Sequence, residues 1–160
     1  MMPLAKLLLA GLALASTPAQ SAVAGATNVW IDRANGDLIS LAYGPADPTK
    51  NPLFMLSCFN EMQVAVLDVH KEVDGGRPGQ PLTIEVASAQ KQAPLKGEVA
   101  KNDATGTTFG EASDIDIAVL LDVLKEPGPL TLKMGAASET LPDEGRAAAV
   151  SRFTEGCKLG

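Results

Sequence analysis

Few residues of this chain have the types and spacing that chemistry requires. The sequence holds one histidine, His70, beside Lys71 and Glu72. A nucleophile needs a base and a third group to orient that base, and no Gly-x-Ser-x-Gly turn supplies such a set. Ser88-Ala89-Gln90-Lys91 has the Ser-x-x-Lys spacing of penicillin-binding enzymes. That chemistry wants the serine at the start of a buried helix, whereas here the residues run from a strand into Gln92 and Pro94. Glu111, Asp114 and Asp116 are close enough in sequence to furnish the paired carboxylates of a hydrolase or oxygen ligands for Ca²⁺. The glycine and distal glutamate of an EF-hand are missing, and a helix start attracts the same acids. Met55, Met62 and Met134 with His70 are soft ligands of the kind copper takes, but their scatter predicts packing. The glycines at 75, 76 and 79 lack the Gly-Lys-Ser/Thr of a phosphate loop. The expectation is no cofactor, no metal and no catalytic residue.

The N-terminus predicts export. Lys6 precedes an apolar run from Leu7 to Ala15, and Ala22-Val23-Ala24 offers the small residues a signal peptidase needs. The run is about nine residues, against the roughly 20 of a membrane-spanning helix. The chain therefore divides into a signal peptide, 1–24, and a single exported domain, 25–160, with no transmembrane segment. Cleavage removes one of 13 basic residues and none of 19 acidic ones, so the formal net charge moves from −6 to −7. Such a surface is repelled by nucleic acid and by anionic headgroups. The only cysteines, Cys58 and Cys157, are an even pair in an oxidising compartment and predict one disulfide. Closing a loop on the order of 100 residues is worth about 4–5 kcal/mol in the chain-entropy account.

The elements that must carry these residues read mostly as strands. Val29-Trp30-Ile31 and Leu38–Tyr43 flank Asn35-Gly36, the signal of a hairpin with a type I′ turn. Leu53–Phe59 and Met62–His70 form a second hairpin, in which Val64, Val66 and Asp68 alternate with Ala65, Leu67 and Val69. The glycine-rich turn Asp74–Gly79 leads into Leu82–Val86, which alternates as a half-buried strand. Leu95–Ala100 and Thr107–Phe109 form another pair. Ser113 and Asp116 mark a Ser-x-x-Asp helix start; Ile117, Leu120, Leu121 and Leu124 share one helical face, and Pro127 ends it. Leu130–Met134 reads as a strand, and a last helix from about Asp143 places Ala147, Val150, Phe153 and Cys157 on one face. The predicted fold is mainly β (α+β), a compact antiparallel sandwich or barrel-like sheet with an internal helix, a C-terminal helix and one disulfide.

Trp30, Leu53–Cys58 with the valine-rich strand after it, Phe153 and Cys157 together resemble small exported envelope proteins of alphaproteobacteria. Their outline is similar to that of type VI secretion-associated accessory proteins. The resemblance implies a β-domain and the bridge, and brings no catalytic motif. The stretch around Cys58 and Val64-Ala65-Val66 is also similar to bacterial inhibitors of lysozyme, which are small exported β-barrels.

These observations point to a non-enzymatic binding or accessory protein of the bacterial envelope, periplasmic or secreted, whose partner is an envelope protein or glycan. The alternatives are an inhibitor of a secreted or host enzyme, using the 74–79 or 103–106 turn, and a small carboxylate-dependent hydrolase. Candidate contacts are Trp30 and Tyr43 as a stacking platform, Arg77 in the glycine-rich turn, and Glu111, Asp114 and Asp116.

Overall fold

The computed structural model describes residues 27–159; the expected signal peptide, 1–24, lies outside them. The strands are β1 (Asn28–Asn35), β2 (Leu38–Pro45), β3 (Phe54–Phe59), β4 (Val64–Val69), β5 (Pro81–Ala87), β6 (Gln92–Lys101), β7 (Thr108–Ser113), β8 (Leu130–Met134) and β9 (Ala137–Leu141). Helix α1 (Ile117–Leu124) lies between β7 and β8, and α2 (Arg146–Gly156) closes the chain. The nine strands form one curled, half-barrel sheet in the order β1-β2-β3-β4-β7-β6-β5-β8-β9, antiparallel at every pairing. The mainly β, barrel-like fold with two helices and one disulfide is the one the sequence predicts.

The period-2 pattern sets the two faces of this sheet. Leu41, Leu56, Leu67 and Ala112 stand opposite one another in successive strands and are buried. They line the concave side, where α1 and α2 complete one apolar core with Leu120, Leu124, Val150 and Phe153. The curl is tight. A Cβ on Gly110 in β7 would lie 2.2 Å from Met134 Sδ, which reaches across from β8. Only glycine admits that approach. The opposite face carries Met55, Asp68, Glu111 and Glu98 side by side on β3, β4, β7 and β6.

After β4 the chain skips to β5, returns through β6 to pair β7 with β4, and recrosses the concave face as α1 to reach β8. Pro94 fits this path because β7 pairs only with Glu98–Lys101, so β6 is locally an edge at Pro94 and the missing N–H breaks no ladder. The β1–β2 turn is shifted by one residue from the expected Asn35-Gly36. Asn35 still pairs with Leu38, and Gly36-Asp37 forms the loop. Gly36 has a φ of 64° while Asp37 is not left-handed, the geometry of a II′ turn. Ser113 does not start α1; it ends β7. Asp114 turns the chain at a φ of 52°, which a short polar side chain tolerates. Asp116 is the cap, accepting from the N–H groups of Ala118 at 3.1 Å and Val119 at 3.5 Å.

Helix α2 turns Val150, Phe153 and Cys157 toward the core as expected, but its first turn buries Arg146 in place of Ala147. Its buried residues are Arg146, Ala149, Val150 and Phe153, while Ala147 is exposed. Two devices fix it. At its end, Cys58 of β3 is bonded to Cys157, with Cα atoms 5.8 Å apart. Next to the bridge, the Asn60 carboxamide donates to Gly156 O at 3.0 Å and accepts from Lys158 N–H at 2.8 Å. At its start, the Arg146 guanidinium donates to Leu124 O at 3.0 Å, Gly128 O at 2.7 Å, Pro142 O at 3.3 Å and Glu126 O. It thereby satisfies carbonyls that the end of α1 leaves free.

Candidate functional site

The chemically unusual groups gather on the outer face of β4 and β7. Alternation turns Ala65, Leu67 and Val69 inward, so Val66, Asp68 and His70 face out; across the ladder, Glu111 stands directly opposite Asp68. Side chains so paired are about 5 Å apart at Cβ, and like charges there repel. Glu98 extends the row from β6. Asp68 Oδ1 is buried without a hydrogen-bond partner among the described residues. Burial, and then the charge of Glu111, push the Asp68 carboxyl up to about 6. A carboxyl in this position takes up a proton within two pH units of neutrality.

His70 continues the same face. Its ring stacks on Phe109 of β7, centroids 5.1 Å apart, and its Nδ1 lies 2.9 Å from Pro52 O. A carbonyl oxygen only accepts, so Nδ1 carries a proton, and in the neutral ring Nε2 holds a lone pair. Burial lowers the affinity of His70 for a second proton, against the smaller opposing effect of the Pro52 hydrogen bond. Burial thus favours the neutral imidazole. It borders a recess of about 220 Å³ with Asn51, Glu72, Asn102, Thr107 and Phe109.

The residues singled out by type are spread over the molecule. Trp30 is not a platform: it is 7% exposed, donates from Nε1 to Pro142 O at 2.7 Å, and packs at 5.2 Å from Tyr43 and 5.6 Å from Phe54. With Arg146 5.9 Å from its ring, it belongs to the core beneath α2. Tyr43 is half-buried against it. Arg77 is exposed in its turn. Glu111, Asp114 and Asp116 do not converge; they occupy a strand, a turn and a helix cap. Glu111 instead meets Asp68, which sequence reasoning treated only as an outward position. The one signal for Asp68 was an acid among outward valines in Val64–Val69.

The remaining motifs resolve structurally. Ser88 and Lys91 shape the β5–β6 turn, where Ser88 Oγ accepts from Lys91 N–H at 2.9 Å, and Lys91 Nζ pairs with Glu126 at 2.7 Å. Met134 is buried, Met55 lies on the outer face, and Met62, expected to pack, is 62% exposed. Among the described residues no three His, Cys, Asp or Glu side chains gather as a metal site, and no helix is long and apolar enough to cross a membrane. The 74–79 turn is tied back by Gly79 N–H to Val99 O at 2.8 Å, and the 103–106 turn by Gly106 N–H to Asn102 O at 2.7 Å.

No family model matches the chain. No curated protein matches it by sequence. Among solved structures, the chain is similar to the crystal structure of invasion associated protein B from Bartonella henselae, at 12% identity over 80% of this chain and 93% of that one, with a TM-score of 0.46.

Proposed function

We propose that this protein is a non-enzymatic binding module of the bacterial cell envelope, periplasmic or secreted, which engages an envelope protein or glycan through the outer face of β4 and β7. The observation that carries the reading is the company Asp68 keeps. A half-buried carboxyl with one oxygen, Oδ1, unpartnered among the described residues, opposite Glu111 and beside His70 and Phe109, costs the fold stability, and such costs concentrate where a protein contacts something else. The disulfide supports an oxidising compartment, as does the expected signal peptide. The test is crosslinked affinity capture from the host envelope with residues 25–160 as bait, compared with bait carrying Glu98→Lys and Glu111→Lys. Recovery of a partner that the variant loses is the expected result. Equal recovery by both baits contradicts the assignment of the face.

A second reading rests on the same pair. One carboxyl raised to about 6 beside another resembles the acid and base of a hydrolase. A glycosidase places its two carboxyls across a cleft, whereas Asp68 and Glu111 are adjacent on one face of the sheet. Turnover of an envelope glycan, abolished by both Asp68→Asn and Glu111→Gln, would replace the binding reading.

A further inference from the structure

The recess beside His70 has a polar character that narrows what fits it. An anion only accepts hydrogen bonds and is met by donors; a cation only donates and is met by acceptors; a hydroxyl does both. The lining mixes the two. His70 Nδ1–H is held by Pro52 O, so the neutral ring offers Nε2 as an acceptor. Nε2 has no partner among the described residues and is not a fully buried atom. Asn102 has committed its oxygen to the N–H groups of Ala104 at 3.0 Å and Thr105 at 3.3 Å, which leaves its Nδ2 hydrogens. Thr107 presents a hydroxyl, shared at 2.7 Å with Thr105 Oγ1, and Asn51 presents both halves of a carboxamide. Phe109 and the His70 ring, stacked on each other, give an apolar border. Glu72 is the single formal charge in the lining.

We infer that this recess is a binding site for a neutral, hydroxyl-rich ligand of the size of one sugar ring, with Nε2 of His70 and the Asn102 amide gripping neighbouring hydroxyls. At about 220 Å³ the space is smaller than the roughly 300–1,000 Å³ of drug-sized pockets, which suits one ring of a longer glycan and a weak, millimolar affinity per ring. The inference rests on the reading of the protein as a binding module and names a ligand class for it.

The experiment is a ¹H–¹⁵N NMR titration of the protein purified after export from its full-length sequence. The probes are glucose, galactose and N-acetylglucosamine with their β-linked disaccharides; ethylammonium and acetate at equal concentration are the charged controls. The expected result is saturable shifts at residues 51, 70, 72, 102 and 107–109 with at least one sugar. Thr107→Val, an exposed change that leaves the core alone, should weaken binding several-fold. His70→Phe, which keeps an aromatic ring and removes the acceptor, should weaken it about tenfold or more, the effect of a hydrogen-bond partner left unmatched. No saturable shift with any sugar, tighter binding of either charged control, or unchanged binding by both variants overturns the inference. If sugars fail while envelope capture still yields a partner dependent on Glu98 and Glu111, the binding-module reading stands and this ligand class alone is lost.

Discussion

Replacing Arg146 should damage the fold more than any other single surface-type substitution. Its side chain is 2% exposed and forms hydrogen bonds to four carbonyls, of Leu124, Glu126, Gly128 and Pro142, with no carboxylate bonded to it. Hydrogen bonds to a charged group are worth about 1.5–3 kcal/mol net each. A sum of four overshoots, because withdrawing a guanidinium from water costs several kcal/mol, and here burial lowers its pKa from the ordinary value. Arg146→Met lifts that cost but strands the carbonyls, two of them at the end of α1 where a positive charge also opposes the helix dipole. Removing one side of a buried charged arrangement typically costs about 3–5 kcal/mol. For a domain of this size that is a fall in Tm of about 10–20 °C. Arg146→Lys keeps the charge but not the planar fork and should recover about half. The assay is thermal unfolding under non-reducing conditions, followed by fluorescence. Trp30, the only tryptophan, lies 5.9 Å from the guanidinium and reports on the site directly. A Tm within about 2 °C of wild type for Arg146→Met, or full rescue by lysine, would refute the reasoning.

Other consequences follow from the same contacts. Because the folded Asp68 carboxyl is raised to about 6 from 3.8, the folded state binds the proton more tightly, so stability falls as pH rises between about 4 and 6. Asp68→Asn should therefore stabilise by about 1–2 kcal/mol at pH 7.5, after discounting for solvent screening, and by nothing at pH 4; equal effects at both pH values in urea titrations would count against it. Losing the Cys58–Cys157 bond through paired serine substitutions should cost about 2–5 kcal/mol, and amide exchange should show α2 losing protection before β3 and β4. Asn60→Ala should cost about 1–2 kcal/mol for two hydrogen bonds; in a double-mutant cycle with the cysteine pair the losses should be less than additive, since both hold the same helix end.

Which of these features were legible in the sequence follows from how local their causes are. The first two hairpins depend on alternation and near-neighbour turns, and Cys58 and Cys157 had no other partners available. Strand β9, Ala137–Leu141, went unread because only Leu141 is fully buried within it; its pairing with β8 identifies it, not its composition. Ser113 satisfied the local pattern of a cap, but the ladder to β4 extended β7 through it. Trp30 looked like an exposed aromatic because the helix that covers it comes more than a hundred residues later. Nothing in the local pattern marks Arg146, since its carbonyl partners are brought to it only by the packing of α1 on α2. The outer-face site has the same non-local origin. Asp68 and Glu111 are 43 positions apart in a chain whose order runs from β4 to β7 in space, a pairing that no spacing rule supplies.

Recognition through the outer face of β4 and β7 is tested most directly by site-specific photocrosslinking in the living host. A photoreactive residue at Glu98 or Thr107, both exposed on this side, is compared with one at Ala148, exposed on α2. The account predicts adducts with an envelope component from positions 98 and 107 and none from 148. Adducts from Ala148 alone, or from no position while the exported protein is folded and oxidised, would contradict it.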